Sequence, residues 1–127
     1  MLKLDETYSG FSVDDLAKAK QFYTDVLGYE TTHDDMGALG IAIGGGKHVF
    51  VYGKDNHDPA TYTVLNIPTD DIDAAVAALK GNGVQFEQYE GLTGPDGIAR
   101  GRSRNMGPDI AWFKDPAGNI LSVLQSD

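Results

Sequence analysis

Residues 11–30 read FSVDDLAKAKQFYTDVLGYE, and this stretch decides the fold. Phe11 and Val13 alternate with Ser12, so residues 2–13 are expected to form a strand with Phe11 and Val13 on one face and Tyr8, Gly10 and Ser12 on the other. Asp14 and Asp15 then supply a helix N-cap and a first-turn acid. Leu16, Ala19, Phe22, Tyr23, Val26 and Leu27 recur at helical spacing. Gly28 is placed to end that helix in a left-handed conformation.

The same punctuation returns further along. Val13-Asp14-Asp15-Leu16 is matched by Thr69-Asp70-Asp71-Ile72, 56 positions later. In the first half, strands are expected at Tyr29 to Thr32, Ala38 to Ile43 and Lys47 to Tyr52, the last two joined by a Gly44-Gly45-Gly46 hairpin. In the second half, Ala60 to Thr69 is expected as a strand. A helix follows with Ile72, Ala75, Val76 and Leu79 buried, stopped by Gly81-Asn82-Gly83. Further strands are expected at Val84 to Gln88, Ile110 to Phe113 and Ile120 to Gln125, the last two joined by the turn Asp115-Pro116-Ala117-Gly118-Asn119. Residues 89–108 are rich in Gly and Arg.

Each half therefore reads as one βαβββ module: module 1-56 and module 57-127 of a single domain spanning 1-127, with an α+β fold. A module this small leaves one sheet face bare. Two modules are expected to form a curved mixed sheet around a cleft, with the helices outside.

Composition narrows the function. Ten basic and 19 acidic residues give a net charge of −9, which argues against a nucleic-acid partner. With no cysteine, disulfides, thiolate metal sites and cysteine nucleophiles are excluded. No apolar run approaches the roughly 18 residues of a membrane span, and MLKLDETY lacks a signal-peptide core. A cytoplasmic location and no membrane partner are the expectations. Gly44-Gly45-Gly46 has no lysine and helix behind it to make a phosphate loop.

FSVDDLAKAKQFYTDVLGYE resembles the first module of the vicinal oxygen chelate superfamily, which includes glyoxalase I, bleomycin resistance proteins and extradiol dioxygenases. WFKDPAGNILSVLQ, at residues 112–125, resembles its closing hairpin. The resemblance implies U-shaped sheets around a ligand or metal cleft, and a homodimer. It also implies four metal-ligand positions, which fall here at Tyr8, Phe50, Val64 and Ser122. None carries imidazole or carboxylate, the donors such a metal needs. No metal and no cofactor are therefore expected.

The resemblance implies that the faces carrying these four positions look into the cleft, and strand parity then adds their neighbours, so that Tyr8, Ser12, His48, Phe50 and Tyr52 from the first module are expected to line the ligand-binding cleft. Val64, Asn66, Trp112 and Ser122 would come from the second, although parity leaves Trp112 free to lie under a helix. The expected function is metal-free binding of a small-molecule ligand, in the manner of antibiotic-sequestering proteins. The alternative is a metal-independent enzyme (a lyase, isomerase or dioxygenase-like protein) whose acid–base groups are Tyr8, His48 or Tyr52. His33 and His57 lie among Asp34, Asp35, Asp55 and Asp58, either as a cation cluster or as exposed turns. Arg100, Arg102 and Arg104 alternate, and either share a strand face that meets an anion or form an exposed basic segment.

Overall fold

The computed structural model describes all 127 residues, Met1–Asp127, and the chain divides into two compact units, Met1–Pro59 and Ala60–Asp127. In the first unit the strands are β1 (Gly10–Val13), β2 (Thr31–His33), β3 (Leu39–Gly44) and β4 (Lys47–Gly53), with helix α1 (Leu16–Gln21) between β1 and β2. The sheet order is β1-β4-β3-β2, with β1 parallel to β4 and the other pairs antiparallel. The second unit repeats this plan with β5 (Thr63–Pro68), α2 (Ile72–Gly81), β6 (Ile98–Arg100), β7 (Asp109–Lys114) and β8 (Ile120–Gln125). Its order is β5-β8-β7-β6, again with the outer pair β5–β8 parallel. No helix is long and apolar enough to cross a membrane.

In the first unit, alternation puts Phe11, Val13, Leu39, Ile41, Val49 and Val51 on the helix side, where all are buried. Ala19 and the fully buried Tyr23 cover them from the helical segment. That segment ends in a wide π turn, Phe22–Val26, in which Leu27 N–H donates to the Phe22 carbonyl. Gly28 follows at φ +88°, as its position at the helix end requires. In the second unit Ile98, Ala111, Phe113, Leu121 and Val123 form the matching layer beneath Ile72 and Val76 of α2.

Several boundaries differ from the sequence reading. The N-cap of α1 is Asp15, not Asp14: its carboxylate accepts from Lys18 N–H at 3.1 Å. Asp71 caps α2 in the same way, accepting from Ala74 N–H. The first strand starts only at Gly10, because residues 4–6 form a short 3-10 turn. Val84 to Gln88 is not a strand; it touches the sheet through a single bridge, Phe86 to Phe113. The partner of β7 is instead β6, inside the Gly/Arg-rich segment. Arg102–Arg104 form a 3-10 turn beyond it, so the three arginines do not share one strand face.

Candidate functional site

The face of the first sheet turned away from α1 carries the unusual side chains. Strand register aligns Gly10 with Phe50, Phe50 with Gly40, and Gly40 with Thr32 in one row across the sheet. Ser12 lies opposite Tyr52, and Ala42 opposite His48. A single large ring, Phe50, thus stands between two glycines. Tyr8 meets it edge-on at 6.0 Å between ring centroids, and Tyr52 stacks on it at 5.6 Å. Tyr8 is 69 % exposed and Tyr52 38 % exposed, so this aromatic row is presented rather than packed away.

Beside the row lies an open groove of about 580 Å³. Tyr8, Phe50, Gly40 and His48 line it, together with residues 5–7 and 45–47. The Lys47 ammonium donates to the Asp5 carbonyl at 2.7 Å and ties the N-terminal turn to the β3–β4 hairpin. Gly45 and Gly46, at φ +61° and +73°, make that hairpin tight. Gly40 keeps the floor low: a Cβ there would come within 2.5 Å of Thr32 Oγ1 and 3.4 Å of His48 Cδ2. Ser12 and Tyr52 share the sheet face but lie outside this groove's lining. Ser12 Oγ instead shares a 2.7 Å hydrogen bond with His57 Nδ1.

In the second unit, Ser122 is fully buried and donates to Asn66 Oδ1 at 2.7 Å. Trp112 lies opposite Ser122, between the helix-side residues Ala111 and Phe113, and so belongs to the face away from α2. Tyr89 packs edge-on against it at 5.3 Å. Tyr62, Tyr89, Leu92 and Trp112 line a groove of about 250 Å³. Val64 falls at the register shift between Thr63 and Leu65. Phe50 and Ser122 occupy equivalent places, each on the inner strand between the parallel edge strand and the next antiparallel strand.

Arg100 reaches both Asp73 (2.6 Å) and Asp96 (3.0 Å). Asp73 is held below its ordinary carboxylate range chiefly by that Arg100 bond, and Asp96 chiefly by the Ile98 N–H with Arg100 adding to it. The same contacts raise Arg100 further. Arg102 bonds the Asp127 carboxylate at 2.7 Å and approaches the buried Asp109 at 3.5 Å. Both arginines therefore tie parts of the second unit together.

The donor set does not fit a divalent metal. Tyr8 offers a phenol, Ser122 a hydroxyl already committed to Asn66, and Phe50 and Val64 offer nothing. No three His, Asp or Glu side chains gather in either unit, and His57 is turned to Ser12. The sequence reading missed Gly40, Lys47 and residues 5–7. Gly40 was legible from hairpin parity with Ala42, but the N-terminal wall depends on a side chain reaching across 42 positions.

A model of the Glyoxalase/Bleomycin resistance protein/Dioxygenase superfamily matches residues 7–123. The comparison with curated proteins finds no match. Among solved structures, the chain is similar to TnmS3, an antibiotic binding protein from Streptomyces sp. CB03234, at 26 % identity and a TM-score of 0.66, covering 95 % of this chain and 96 % of that one. It is similar to a superfamily member from Sphaerobacter thermophilus DSM 20745 at 25 % identity and a TM-score of 0.67, covering 94 % and 97 %. The fosfomycin resistance protein FosX from Listeria monocytogenes shares the fold, with a TM-score of 0.70, 16 % identity and coverage of 95 % and 92 %. With the family model matching nearly the whole length of a chain built from two βαβββ units, this protein belongs to the glyoxalase/bleomycin resistance protein/dioxygenase superfamily.

Proposed function

We propose that the protein is a metal-free small-molecule binder of the bleomycin-resistance type, and that it sequesters an aromatic ligand such as an antibiotic. The observation that carries this is the replacement of metal-ligand chemistry by an exposed aromatic row: Tyr8 and Phe50 stand at two of the ligand positions, with Tyr52 stacked beside them. An apolar wall with a few polar groups is the common make-up of a ligand site, and His48 and Lys47 supply polar groups here. The antibiotic-binding relative at 26 % identity supports the same reading. The two units are read as one domain, in a homodimer.

A thermal-shift screen of aromatic antibiotics and metabolites tests this. Hits should raise the melting temperature of the wild type, and Tyr8→Ala should weaken them about three- to tenfold, the range set by one aromatic contact. Hits that bind His48→Ala and Tyr8→Ala as tightly as wild type would remove the groove from the account. A second reading, metal-independent proton transfer, rests on His48 lining the same groove as Tyr8. It requires turnover of a bound ligand that is lost in His48→Ala.

A further inference from the structure

The three arginines of the second unit have different fates. Arg100 is held by Asp73 and Asp96, and Arg102 by Asp109 and Asp127. Arg104 makes no ion pair, in a chain with 19 acidic residues. It stands at a pocket of about 330 Å³ on the sheet face away from α2, whose apolar lining includes Leu92, Met106, Ile110 and Trp112. Arg100 is the other charged residue of that lining, and no carboxylate belongs to it. Arg100 already has both of its carboxylate partners outside this lining, so Arg104 is the one guanidinium at the pocket that no carboxylate holds.

The backbone around Arg104 is closely built. Arg104 and Met106 both donate N–H to the Gly101 carbonyl, at 3.1 and 2.9 Å, and Asn105 between them takes the left-handed conformation at φ 55°. Gly101 cannot carry a side chain, since a Cβ would meet the Pro108 carbonyl oxygen at 2.5 Å. Arg104 and Met106 are thereby carried on one fixed turn beside Trp112. A guanidinium at the edge of an apolar pocket pairs with carboxylate, sulfonate or phosphonate oxygens, while Trp112 and the adaptable Met106 accept a flat apolar body.

We propose that this pocket binds an amphiphilic monoanion, an aromatic body bearing one acidic group, and that Arg104 is the residue that selects for the charge. The proposal rests on the small-molecule reading above and adds a second pocket, in the second unit, with the chemical class it takes. It is tested on the full chain with two probes of the same aromatic body: the anionic 8-anilinonaphthalene-1-sulfonate and the neutral N-phenyl-1-naphthylamine. Trp112 is the chain's single tryptophan, so quenching of its emission reports binding of either probe, and the loss on Arg104→Gln assigns that binding to this pocket. Wild type should bind the sulfonate about tenfold more tightly than the amine, the scale of one charge-assisted hydrogen bond. Arg104→Gln should erase that preference and leave the amine unchanged, whereas Lys80→Gln, on α2 and outside this lining, should change neither. Equal binding of the two probes by wild type would overturn the charge assignment while leaving the small-molecule reading standing. So would sulfonate binding that survives Arg104→Gln. Failure of both probes to bind would overturn the pocket itself, and the groove beside Tyr8 would then be judged by its own screen.

Discussion

Asp115 shows how much one side chain can hold. It is 4 % exposed, and its Oδ1 accepts from the N–H groups of Ala117 and Asn119 at 3.0 and 2.9 Å. Its Oδ2 accepts from the side-chain amide of the buried Asn119 at 3.0 Å. The turn 115–119 joins β7 to β8, the two strands that carry Trp112 and Ser122, so its geometry sets their register. Asp115→Ala removes the carboxylate that accepts from two backbone N–H groups and a side-chain amide, two of these three bonds being buried. Chemical denaturation should show a loss of about 3 kcal/mol, the scale of buried unsatisfied donors. A loss within 0.5 kcal/mol, the ordinary range of a surface substitution, would mean that the turn forms without the carboxylate. The Asp-Pro-Ala-Gly-Asn sequence announced this turn plainly, because Asp, Pro and Gly each favour it for a local reason.

At the scale of elements, the repeated Asp-Asp pair exposed both helices but left the capping residue ambiguous. The register settles it on the second aspartate in each pair, since Asp15 and Asp71 take extended backbone and accept from the N–H three residues on. Asp71→Ala should therefore cost about 1 kcal/mol, whereas Asp70→Ala should stay within about 0.5 kcal/mol. Equal losses from the two variants would contradict the assigned cap. Strand β6 was not legible for a physical reason. Gly91, Gly94 and Gly97 with Pro95 erase any alternation before it, and Ile98-Ala99-Arg100 is too short to show a period of its own. Its place is decided by pairing with β7, a tertiary event. The Val84 to Gln88 run has strand-like composition but loses the edge of β7 after one bridge, where Tyr89 begins a turn closed by Thr93. On the sheet face away from α1, His48, Phe50 and Tyr52 follow the parity of β4, whereas Tyr8 precedes β1 and reaches Phe50 from outside the strand. Ser12 was placed on the right face, but its partner His57, 45 positions away, was not.

For the molecule as a whole, each unit ends in an edge strand next to its parallel pair, β1 in one and β5 in the other. Such edges invite pairing with another strand. These two unpaired edges support the proposed homodimer. Light scattering should give twice the 13.6 kDa chain mass, and a monomer at every concentration would refute it. The central claim is that the aromatic row replaces a metal rather than accompanies one. Calorimetric titration of the strongest aromatic hit into chelator-treated protein tests this most directly. The account predicts the same affinity before and after chelation, with binding weakened by Tyr8→Ala. Binding that disappears with the chelator and returns with one equivalent of a divalent cation would contradict it.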